Sequence, residues 1–307
     1  MMKRSYAAAL TLTCLFVSPA WGEEALKVSY LGPAGTYTEE AALFYFDNDE
    51  ELLPQSTVAE AIADVEEGRA DYAVIPQENT LGGPVNDYVD ALIGAKDVYV
   101  VGEVVLPISQ TLMGVPGAEI SDIQTVCSHA QGIAQSAEWR KENLPQAAEE
   151  EMASTAAAAE YVAEQQDKTI AAIAAPGAAA LYGLEVLAEN VQITDANKTR
   201  FYVLAARSEE AAGSEEATRA AFVADCGADQ IDDIIVAFHE AGLEFTTLHD
   251  RPEGSRLGAY NYIFEVVDED GITPDQIETV TGEVTEQILA EENFRLLGCF
   301  PIIEKVA

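Results

Sequence analysis

Positive charge is scarce in this chain of 307 residues, which carries 16 lysines and arginines against 54 acidic residues and has a formal net charge of −38. Nucleic acid and anionic membrane surfaces would repel such a protein, so neither is expected as a partner. The acidic residues are spread along the whole chain instead of forming one tail. This distribution is typical of a solvated acidic surface and predicts a halophilic or salt-tolerant source.

Cysteine is rare, and the motifs of several common chemistries are absent. The four cysteines are far apart in the sequence, which argues against a disulfide framework and against a metal cluster. The chain has no G-x-S-x-G elbow, no P-loop, no G-x-G-x-x-G after a strand and no histidine pair spaced for zinc. His129 follows Ser128, but neighbours on a strand point to opposite faces, so they are not expected to form a nucleophile and base.

Short apolar runs alternate with helix-like stretches from Lys27 onward. Runs such as KVSYL and TIAAIA are typical of buried strands, and Ser56 and Ser154 are predicted N-caps of two helices. Hydrophobic residues make up 49% of the chain, enough for two domains with their own cores. The alternation predicts an α/β fold with parallel or mixed sheets covered by helices.

The alternation stops at a small, acidic stretch over residues 208–218, which is typical of a linker. Beyond it, apolar strand-like runs and helical stretches follow in the order strand, helix, strand, strand, helix, strand. The order βαββαβ predicts a ferredoxin-like domain over residues 219–307.

Polar residues cluster at the ends of several predicted strands. In open α/β sheets ligands bind at such strand ends, where helix N-termini offer free N–H groups to anions. Each cluster also has a simpler explanation, such as a helix cap at Ser154 or a turn at Glu78 and Asn79. Their recurrence favours a site for a carboxylated small molecule, without a metal or a cofactor. The candidates are Thr36, Glu78, Asn79, Thr80, Ser128, Gln131, Ser154 and Thr155, with Asn197, Thr199, Arg200 and Phe201 from the segment NKTRF.

The sequence resembles the prephenate dehydratase family over about residues 27–306. That resemblance implies a two-lobed catalytic domain, similar to a periplasmic binding protein, over residues 26–207, with the substrate between the lobes. It also implies that residues 219–307 form an ACT regulatory domain, which could bind an amino-acid effector and join subunits into a homodimer or homotetramer. Seven segments carry the resemblance, in the family's order and spacing: YLGPAGTYTEEAA, VIPQENTLGGPV, LPISQTLMG, SHAQGIAQSAEW, STAAAAEYVA, AAIAAPGAAALYGLEVLAENVQ and NKTRFYVLA.

The implied activity is the conversion of prephenate to phenylpyruvate, with loss of carbon dioxide and water, in phenylalanine biosynthesis. Aromatisation drives this reaction, so the enzyme needs a proton donor and groups that hold the dianion, and it needs no cofactor. Arogenate dehydratase, whose substrate differs by one amino group, is an alternative. A secreted aromatic-acid-binding protein without catalysis is another, although it would have no need for the intact TRF motif.

Roles for the candidate residues follow from the same resemblance. Thr199 is expected to be the catalytic hydroxyl, Arg200 to hold a substrate carboxylate through its bidentate fork, and Phe201 to form an apolar wall. Asn79, Ser128 and Gln131 are expected to line the same cleft. The other expected substrate-binding residues are Thr36, Glu78, Thr80, Ser154, Thr155 and Asn197.

The C-terminal segment departs from the family's effector motifs. Where the family has Gly-Ala-Leu-Val this chain has GADQ, and where the family has Glu-Ser-Arg-Pro it has HDRP. Asp229 replaces an apolar residue and His249 replaces a glutamate, so we expect weakened amino-acid feedback. The candidate regulatory residues are Gly227, Ala228, His249, Asp250, Arg251 and Pro252.

The N-terminus has the pattern of a secretory signal peptide over residues 1–22. Lys3 and Arg4 precede an apolar run, and the small residues Ala20 and Gly22 precede Glu23, where the acidic composition begins. The apolar run is too short for a comfortable membrane span. A periplasmic or secreted location is therefore expected, or a cytoplasmic one if the start of the chain is mis-assigned.

We predict that the protein is exported and cleaved after residue 22. N-terminal sequencing of the native protein should then begin near Glu23. A start at Met1 or Met2 in a cytoplasmic fraction would contradict this prediction.

Overall fold

A computed structural model describes residues 25–46, 50–206, 217–253 and 260–305 of the chain. The predicted signal peptide and most of the predicted linker lie outside these residues. The described residues form three sheets, one in each of two lobes and one in a C-terminal domain. No helix in this part of the chain is long and apolar enough to cross a membrane.

The first lobe begins with alternating strands and helices. Its elements are β1 (Lys27–Leu31), α1 (Tyr37–Tyr45), β2 (Glu51–Gln55), α2 (Val58–Glu66), β3 (Tyr72–Asn79), β4 (Gly83–Pro84), α3 (Asn86–Gly94) and β5 (Val98–Pro107). Parallel pairing joins β1 to both β2 and β3, as the alternation of short buried strands and helices predicts.

The second lobe has its own sheet, with strand order β10-β6-β9-β7-β8. Its elements are β6 (Thr111–Gly114), β7 (Thr125–Ser128), α4 (Ala130–Gln135), α5 (Ala137–Asn143), β8 (Ala148–Glu151), α6 (Thr155–Gln165), β9 (Ile170–Ala174), α7 (Pro176–Tyr182) and β10 (Glu185–Ala188). Its core contains many alanines on α6, β9 and α7, whose small side chains allow the helices to lie close to the sheet.

The chain then returns to the first lobe with one strand, continues into the C-terminal domain, and comes back to the first lobe with the last described strand, which pairs with β5. These elements are β11 (Lys198–Ala206), β12 (Arg219–Cys226), α8 (Ile231–Glu240), β13 (Glu244–Pro252), β14 (Tyr260–Val267), α9 (Pro274–Gln287), β15 (Phe294–Phe300) and β16 (Ile302–Glu304). The first-lobe sheet has the order β16-β5-β11-β3-β1-β2, and the C-terminal sheet has the order β13-β14-β12-β15. The predicted α/β fold of two lobes with a ferredoxin-like βαββαβ domain is thus confirmed.

Local capping chemistry sets where several helices begin. The side chains of Thr36 and Ser154 accept hydrogen bonds from backbone N–H groups in the first turns of α1 and α6. The predicted cap Ser56 is wrong by one residue, because the side chain of Thr57 accepts the hydrogen bond at the start of α2. Serine and threonine provide equivalent oxygen acceptors, so local chemistry does not separate these neighbours.

The C-terminal sheet packs directly on the first lobe and shares a core with it. Ala73 and Tyr202 of the first lobe lie in one apolar cluster with Ile263, Leu297 and Phe300 of the C-terminal domain. The two backbones approach most closely at Gly298, where a Cβ atom would overlap with the carbonyl oxygen of Val100. The first lobe and the C-terminal domain are therefore held together by a buried apolar contact.

Two chain segments, residues 108–110 and 189–197, connect the lobes. The backbone N–H of Ile108 donates to the carbonyl of Asn197 (2.9 Å), and that of Val191 donates to the carbonyl of Gln110 (2.9 Å). The crossing segments are thus hydrogen-bonded to each other. This arrangement places the end of β3 and the start of β11 beside the start of α4, at the entrance between the lobes.

Candidate active site

A cleft with a volume of about 270 Å³ lies between the two lobes. It is lined from the first lobe by Thr36, Asn79, Thr199 and Phe201, and from the second lobe by His129, Gln131, Ser154 and Thr155. Most of the polar candidates from the sequence therefore meet in one place. The described residues that line this cleft include no lysine, arginine, aspartate or glutamate.

Strand β11 presents Thr199 and Phe201 to the cleft. It lies in the interior of the first-lobe sheet, where Thr199 pairs with Asn79 of β3 on one side and with Leu106 of β5 on the other. Phe201 packs against the apolar cluster beneath α1 and is 1% exposed. The hydroxyl of Thr199 thus projects from a strand that is supported on both edges.

Asn79 organises the polar groups around Thr199. Its Nδ2 donates to Thr199 Oγ1 (2.9 Å) and to Asn197 Oδ1 (2.8 Å). Its Oδ1 accepts from Gln131 Nε2 of the second lobe (3.0 Å) and from the backbone N–H of Gly82 (2.9 Å). Because the Thr199 oxygen accepts from the amide, the hydroxyl proton of Thr199 can be donated to a ligand in the cleft.

The segment between the lobes also carries a buried amide cluster. Asn197 is 1% exposed, and its Nδ2 donates to Gln135 Oε1 (3.2 Å), which also accepts from Gln110 Nε2 (3.1 Å). Asn197 therefore holds the Asn79 side chain in place by a hydrogen bond, and it is not among the described residues that line the cleft. Gln110 and Gln135, which were not predicted, do line it. Gln135 could have been found because it lies four residues after Gln131 on α4, and side chains at this spacing share a helix face.

Helix N-termini provide positive potential at the cleft. The caps of α1 and α6, Thr36 and Ser154, both line it, as does Thr155 in the first turn of α6. The first N–H groups of a helix lack intrahelical partners, and the helix dipole favours a negative charge beside them. The first turn of α6 contains no acidic residue and can therefore hold an anionic group where the cleft has no cationic side chain, whereas the first turn of α1 already contains Glu39 and Glu40.

Two further candidates do not face the cleft. The Ser128 hydroxyl is fully buried and donates to the carbonyl of Ile173 (2.6 Å). A Cβ atom at Gly132 would overlap with the Ser128 Oγ atom, so the pair fixes the close packing of α4 on β7. The Thr80 hydroxyl donates to the backbone carbonyl of Lys198 (3.0 Å) and thus supports β11. Both residues stabilise the site without lining it.

The expectation that Arg200 holds a substrate carboxylate in the cleft is not met by the geometry. Arg200 follows Thr199 on a strand, so its side chain points to the opposite face of the sheet. There its guanidinium lies 3.1 Å from Glu78 and 3.1 Å from Glu265, which belongs to the C-terminal domain. Glu78 is therefore also engaged away from the cleft, as a partner of Arg200.

Glu265 is the centre of a buried ion cluster between the first lobe and the C-terminal domain. We call this the Arg200 cluster; its members are Glu78, Glu103, Arg200, Arg219, His249 and Glu265. Tyr202 donates to Glu265 Oε1 (2.8 Å), and Gln77 Nε2 donates to the same oxygen. Burial raises the pKa of Glu265, but contact with His249 and the positive charge of Arg200 together lower it to about 2.

Glu103 is the member of this cluster with the fewest partners. Its carboxylate lies 3.6 Å from the Arg200 guanidinium, and neither of its oxygens has a hydrogen-bond partner in the described structure. Burial raises the pKa of Glu103 to about 6, although the charges of Arg200 and Arg219 act in the opposite direction. Glu103 therefore titrates closer to neutrality than an exposed carboxyl group does.

The predicted regulatory residues lie at one end of the C-terminal sheet, where Cys226, Tyr260 and Pro252 are aligned across three strands. Ala228 is exposed in the turn before α8, and the backbone N–H of Gly227 donates to Gln230 Oε1 (2.9 Å). The remaining members of the set are His249, Asp250, Arg251 and Pro252, at the end of β13.

Two of these regulatory candidates contact the first lobe. His249 is buried 3.5 Å from Glu265 and packs edge-on against Tyr88 of α3. Arg251 makes a bidentate ion pair with Asp90 of α3, at 2.6 and 2.7 Å. Both side chains thus contribute to the contact between the domains.

Comparison with known proteins identifies the relatives of this fold and cleft. The family model described as prephenate dehydratase matches residues 28–209. The bifunctional chorismate mutase/prephenate dehydratase of Aquifex aeolicus is 34% identical over 279 residues, covering 91% of this chain and 74% of that protein. Arogenate dehydratase 5, chloroplastic, of Arabidopsis thaliana is 40% identical over 196 residues, covering 64% of this chain and 45% of that protein.

Solved structures show the same architecture. The prephenate dehydratase of Arthrobacter aurescens in complex with L-Phe has a TM-score of 0.79 and 29% identity, with 90% of each chain covered. GqqA, described as a novel type of quorum quenching acylase, has a TM-score of 0.77 and 27% identity, with 90% of this chain and 98% of that chain covered. Both matches include the C-terminal domain as well as the two lobes, because 90% of this chain exceeds its catalytic part.

We predict that Glu103 makes the protein less stable as the pH rises. A raised folded-state pKa means that the folded protein binds the proton more tightly than the unfolded chain. The free energy of unfolding should therefore fall by about 2 kcal/mol as the pH rises from 4.5, the ordinary value, to above 6. Glu265 affects the free energy of unfolding in a different pH range. Its stabilising contribution is lost only as the pH falls below 4.5 towards 2.

The measurement is denaturant unfolding of the parent and of Glu103→Gln between pH 4 and pH 7. The variant lacks the titrating group, so its stability relative to the parent should increase across this range by about 2 kcal/mol. Glu292→Gln, at an exposed position, is the control and should show a constant difference. A constant difference for Glu103→Gln as well would contradict the prediction.

Proposed function

This chain belongs to the prephenate dehydratase family, and we propose that it converts prephenate to phenylpyruvate with loss of carbon dioxide and water, as a carbon–oxygen lyase. The observation that carries this proposal is the Thr199 hydroxyl, which faces the cleft and accepts a hydrogen bond from Asn79 (2.9 Å). Mixing the purified protein with prephenate and following the absorbance of phenylpyruvate tests it. A correctly folded protein that forms no product would overturn it.

The N-terminus of α6 and neutral hydroxyl groups bind the carboxylates of the dianion in this proposal. The cleft offers the first turn of α6 with the hydroxyls of Thr36, Ser154 and Thr155, and its described lining has no acidic side chain to repel the substrate. Arg200 does not bind a substrate carboxylate in this proposal, because its guanidinium is paired with carboxylates on the opposite face of β11. Neutral donors and helix dipoles thus bind an anion in a strongly acidic protein.

The reaction needs one proton at the departing hydroxyl. As the bond between the ring carbon and the carboxylate carbon breaks, its electron pair moves into the ring, the carbon–oxygen bond breaks, and the hydroxyl leaves as water with a proton. Thr199 donates a hydrogen bond or the proton to this oxygen, while Asn79 holds the Thr199 oxygen in place. Phe201 and Pro76 supply apolar surface beside the ring.

Contacts between the lobes complete the site. Gln131 of the second lobe donates to Asn79 of the first, and Tyr182 donates to the carbonyl of Ala34 (2.8 Å) from the second lobe to the first. A Cβ atom at Gly82 would lie 2.6 Å from Gln131 Nε2, so the loop after β3 also touches the second lobe. Contact between the lobes therefore holds Gln131 against Asn79, which in turn bonds Thr199 on the paired strand.

Arogenate is the alternative substrate, and the similarity to the Arabidopsis arogenate dehydratase keeps it in consideration. Its extra ammonium group would gain most from a carboxylate partner, and the described lining residues provide none. This favours prephenate. Comparing kcat/KM for the two substrates decides between them, and a higher value for arogenate would reverse the assignment.

A non-catalytic binding protein would have no need for the intact TRF motif, and an acyl-transfer enzyme fits the cleft less well. The Ser128 hydroxyl, which lies next to His129 in sequence, is buried and donates to a backbone carbonyl, so it cannot act as a nucleophile there.

The proposal has four further parts. They are export, a salt-adapted surface, assembly into a homodimer or homotetramer, and an ACT-type regulatory role for residues 219–307. Size-exclusion chromatography with light scattering tests the assembly, and a monomer would contradict it.

We predict that the Thr199 hydroxyl acts mainly in the transition state. Thr199→Ala should lower kcat by about 10²–10⁴-fold and leave KM within a few fold, because the lost interaction forms as the carbon–oxygen bond breaks. Thr199→Ser should keep much of the activity. Thr199→Val, which keeps the shape of the side chain, should resemble Thr199→Ala. Melting temperatures control for unfolding, and an active Thr199→Val enzyme would contradict the catalytic role.

We also predict weak inhibition by phenylalanine. Asp229 is exposed in the turn before α8, where the family has an apolar residue in its effector loop, and a carboxylate there disfavours an apolar ring. Asp229→Leu should strengthen inhibition in an assay of initial rates against phenylalanine concentration, while Asp275→Leu, on α9, serves as the control. Strong inhibition of the unmodified protein at micromolar phenylalanine would contradict this prediction.

A further inference from the structure

The Arg200 cluster lies directly behind the strand that carries Thr199, and the proposed mechanism gives it no role. Its central carboxylate, Glu265, is 1% exposed and comes from β14 of the C-terminal domain. A buried carboxylate in an otherwise apolar strand is costly unless its partners are fixed. Glu265 has such partners in Arg200 and Tyr202, both on β11.

We propose that Glu265 is a positioning residue for the reaction, which holds Thr199 in place through Arg200. This inference rests on the proposed function, because it assigns the C-terminal domain a part in building that same site. In the described part of the chain, none of the side chains that bond or pair with the Glu265 carboxylate lines the cleft, so its effect passes along the backbone of β11. The role is distinct from effector binding and requires no bound amino acid.

The backbone geometry explains why this strand needs an anchor. The pairing of β11 with β3 is irregular between Arg200 and Phe201, where an extra residue is accommodated. The extra residue is Gln77 of β3, and such a bulge interrupts the backbone ladder locally, so side-chain contacts of β11 contribute more to the orientation of Thr199 at this point. Arg200 lies at the bulge and binds Glu265 Oε2 through both Nη1 (3.1 Å) and Nη2 (3.2 Å).

The remaining partners of Arg200 do not replace Glu265. Glu78 is partly exposed and contacts only Nη2 (3.1 Å), and Glu103 lies 3.6 Å away without a hydrogen bond. Tyr202, two residues along the same face of β11, also donates to Glu265, at Oε1 (2.8 Å). Glutamine at position 265 has no charge and only one acceptor oxygen, so Glu265→Gln removes the ion pair with Arg200 and leaves one oxygen where Arg200 and Tyr202 now use two.

The test uses the full-length protein with Glu265→Gln, which keeps the side-chain shape and removes the charge. The matched control is Asp90→Asn, which removes the ion pair between Arg251 and α3 that joins the same two domains away from β11. Hydrogen exchange should become at least about tenfold faster in the segment 197–202 of Glu265→Gln and stay unchanged in Asp90→Asn. Unchanged exchange in Glu265→Gln would overturn the proposal, whether or not the protein is active.

Kinetics with prephenate provide the second measurement. Glu265→Gln should lower kcat about tenfold with KM within twofold, and it should cause no further loss in a Thr199→Ala background. An equal loss in both backgrounds would show an effect independent of Thr199 and would also overturn the proposal.

If Glu265→Gln does not fold, Arg200→Lys is measured in the same way. This variant loses the guanidinium fork but keeps the positive charge. An unmodified protein without activity would disprove the proposed function alone, because hydrogen exchange still decides the positioning role.

Discussion

The alternation of side chains along β11 is the constraint on which the rest of this molecule depends. Thr199 and Phe201 face the cleft, whereas Arg200 and Tyr202 face the C-terminal domain. One face of this strand therefore lines the site, and its opposite face contacts the C-terminal domain. Because β3 and β5 flank it on both sides, its register is shared with the whole first-lobe sheet. A substitution on one face of β11 therefore also affects the position of the side chains on the other face.

The scarcity of cations shapes how this protein can bind an anion. Its arginines near the site, Arg200 and Arg219, are committed to buried carboxylates, so the cleft relies on the N-terminus of α6 and on neutral hydroxyl and amide donors. Such donors are fixed in direction and partly shielded from solvent. At about 1 M salt the screening length is about 3 Å, so the distant acidic surface has little influence on the cleft while direct hydrogen bonds persist.

Several details of the fold and site were predictable because they depend on local chemistry. The run KVSYL forms β1 and Ser154 caps α6, as expected from the sequence. Single charges in apolar strands, Glu103 in VYVVGEVVLP and Glu265 in YNYIFEVV, were signals of a buried ion cluster that the sequence interpretation did not use. The alternation rule that separated Ser128 from His129 would likewise have separated Arg200 from Thr199.

The sequence by itself determined the alternation of strands and helices, the cap at Ser154, the clustering of polar residues at strand ends and the opposite orientations of adjacent strand residues. Tertiary structure alone decided which face of β11 meets the cleft and which meets the C-terminal domain, and therefore that Arg200 binds Glu265 instead of a substrate. The physical reason is that alternation is a local property of the extended backbone, whereas the identity of each face depends on what packs against it. Residues 65 positions apart in the chain, such as Arg200 and Glu265, meet only once the domains have docked.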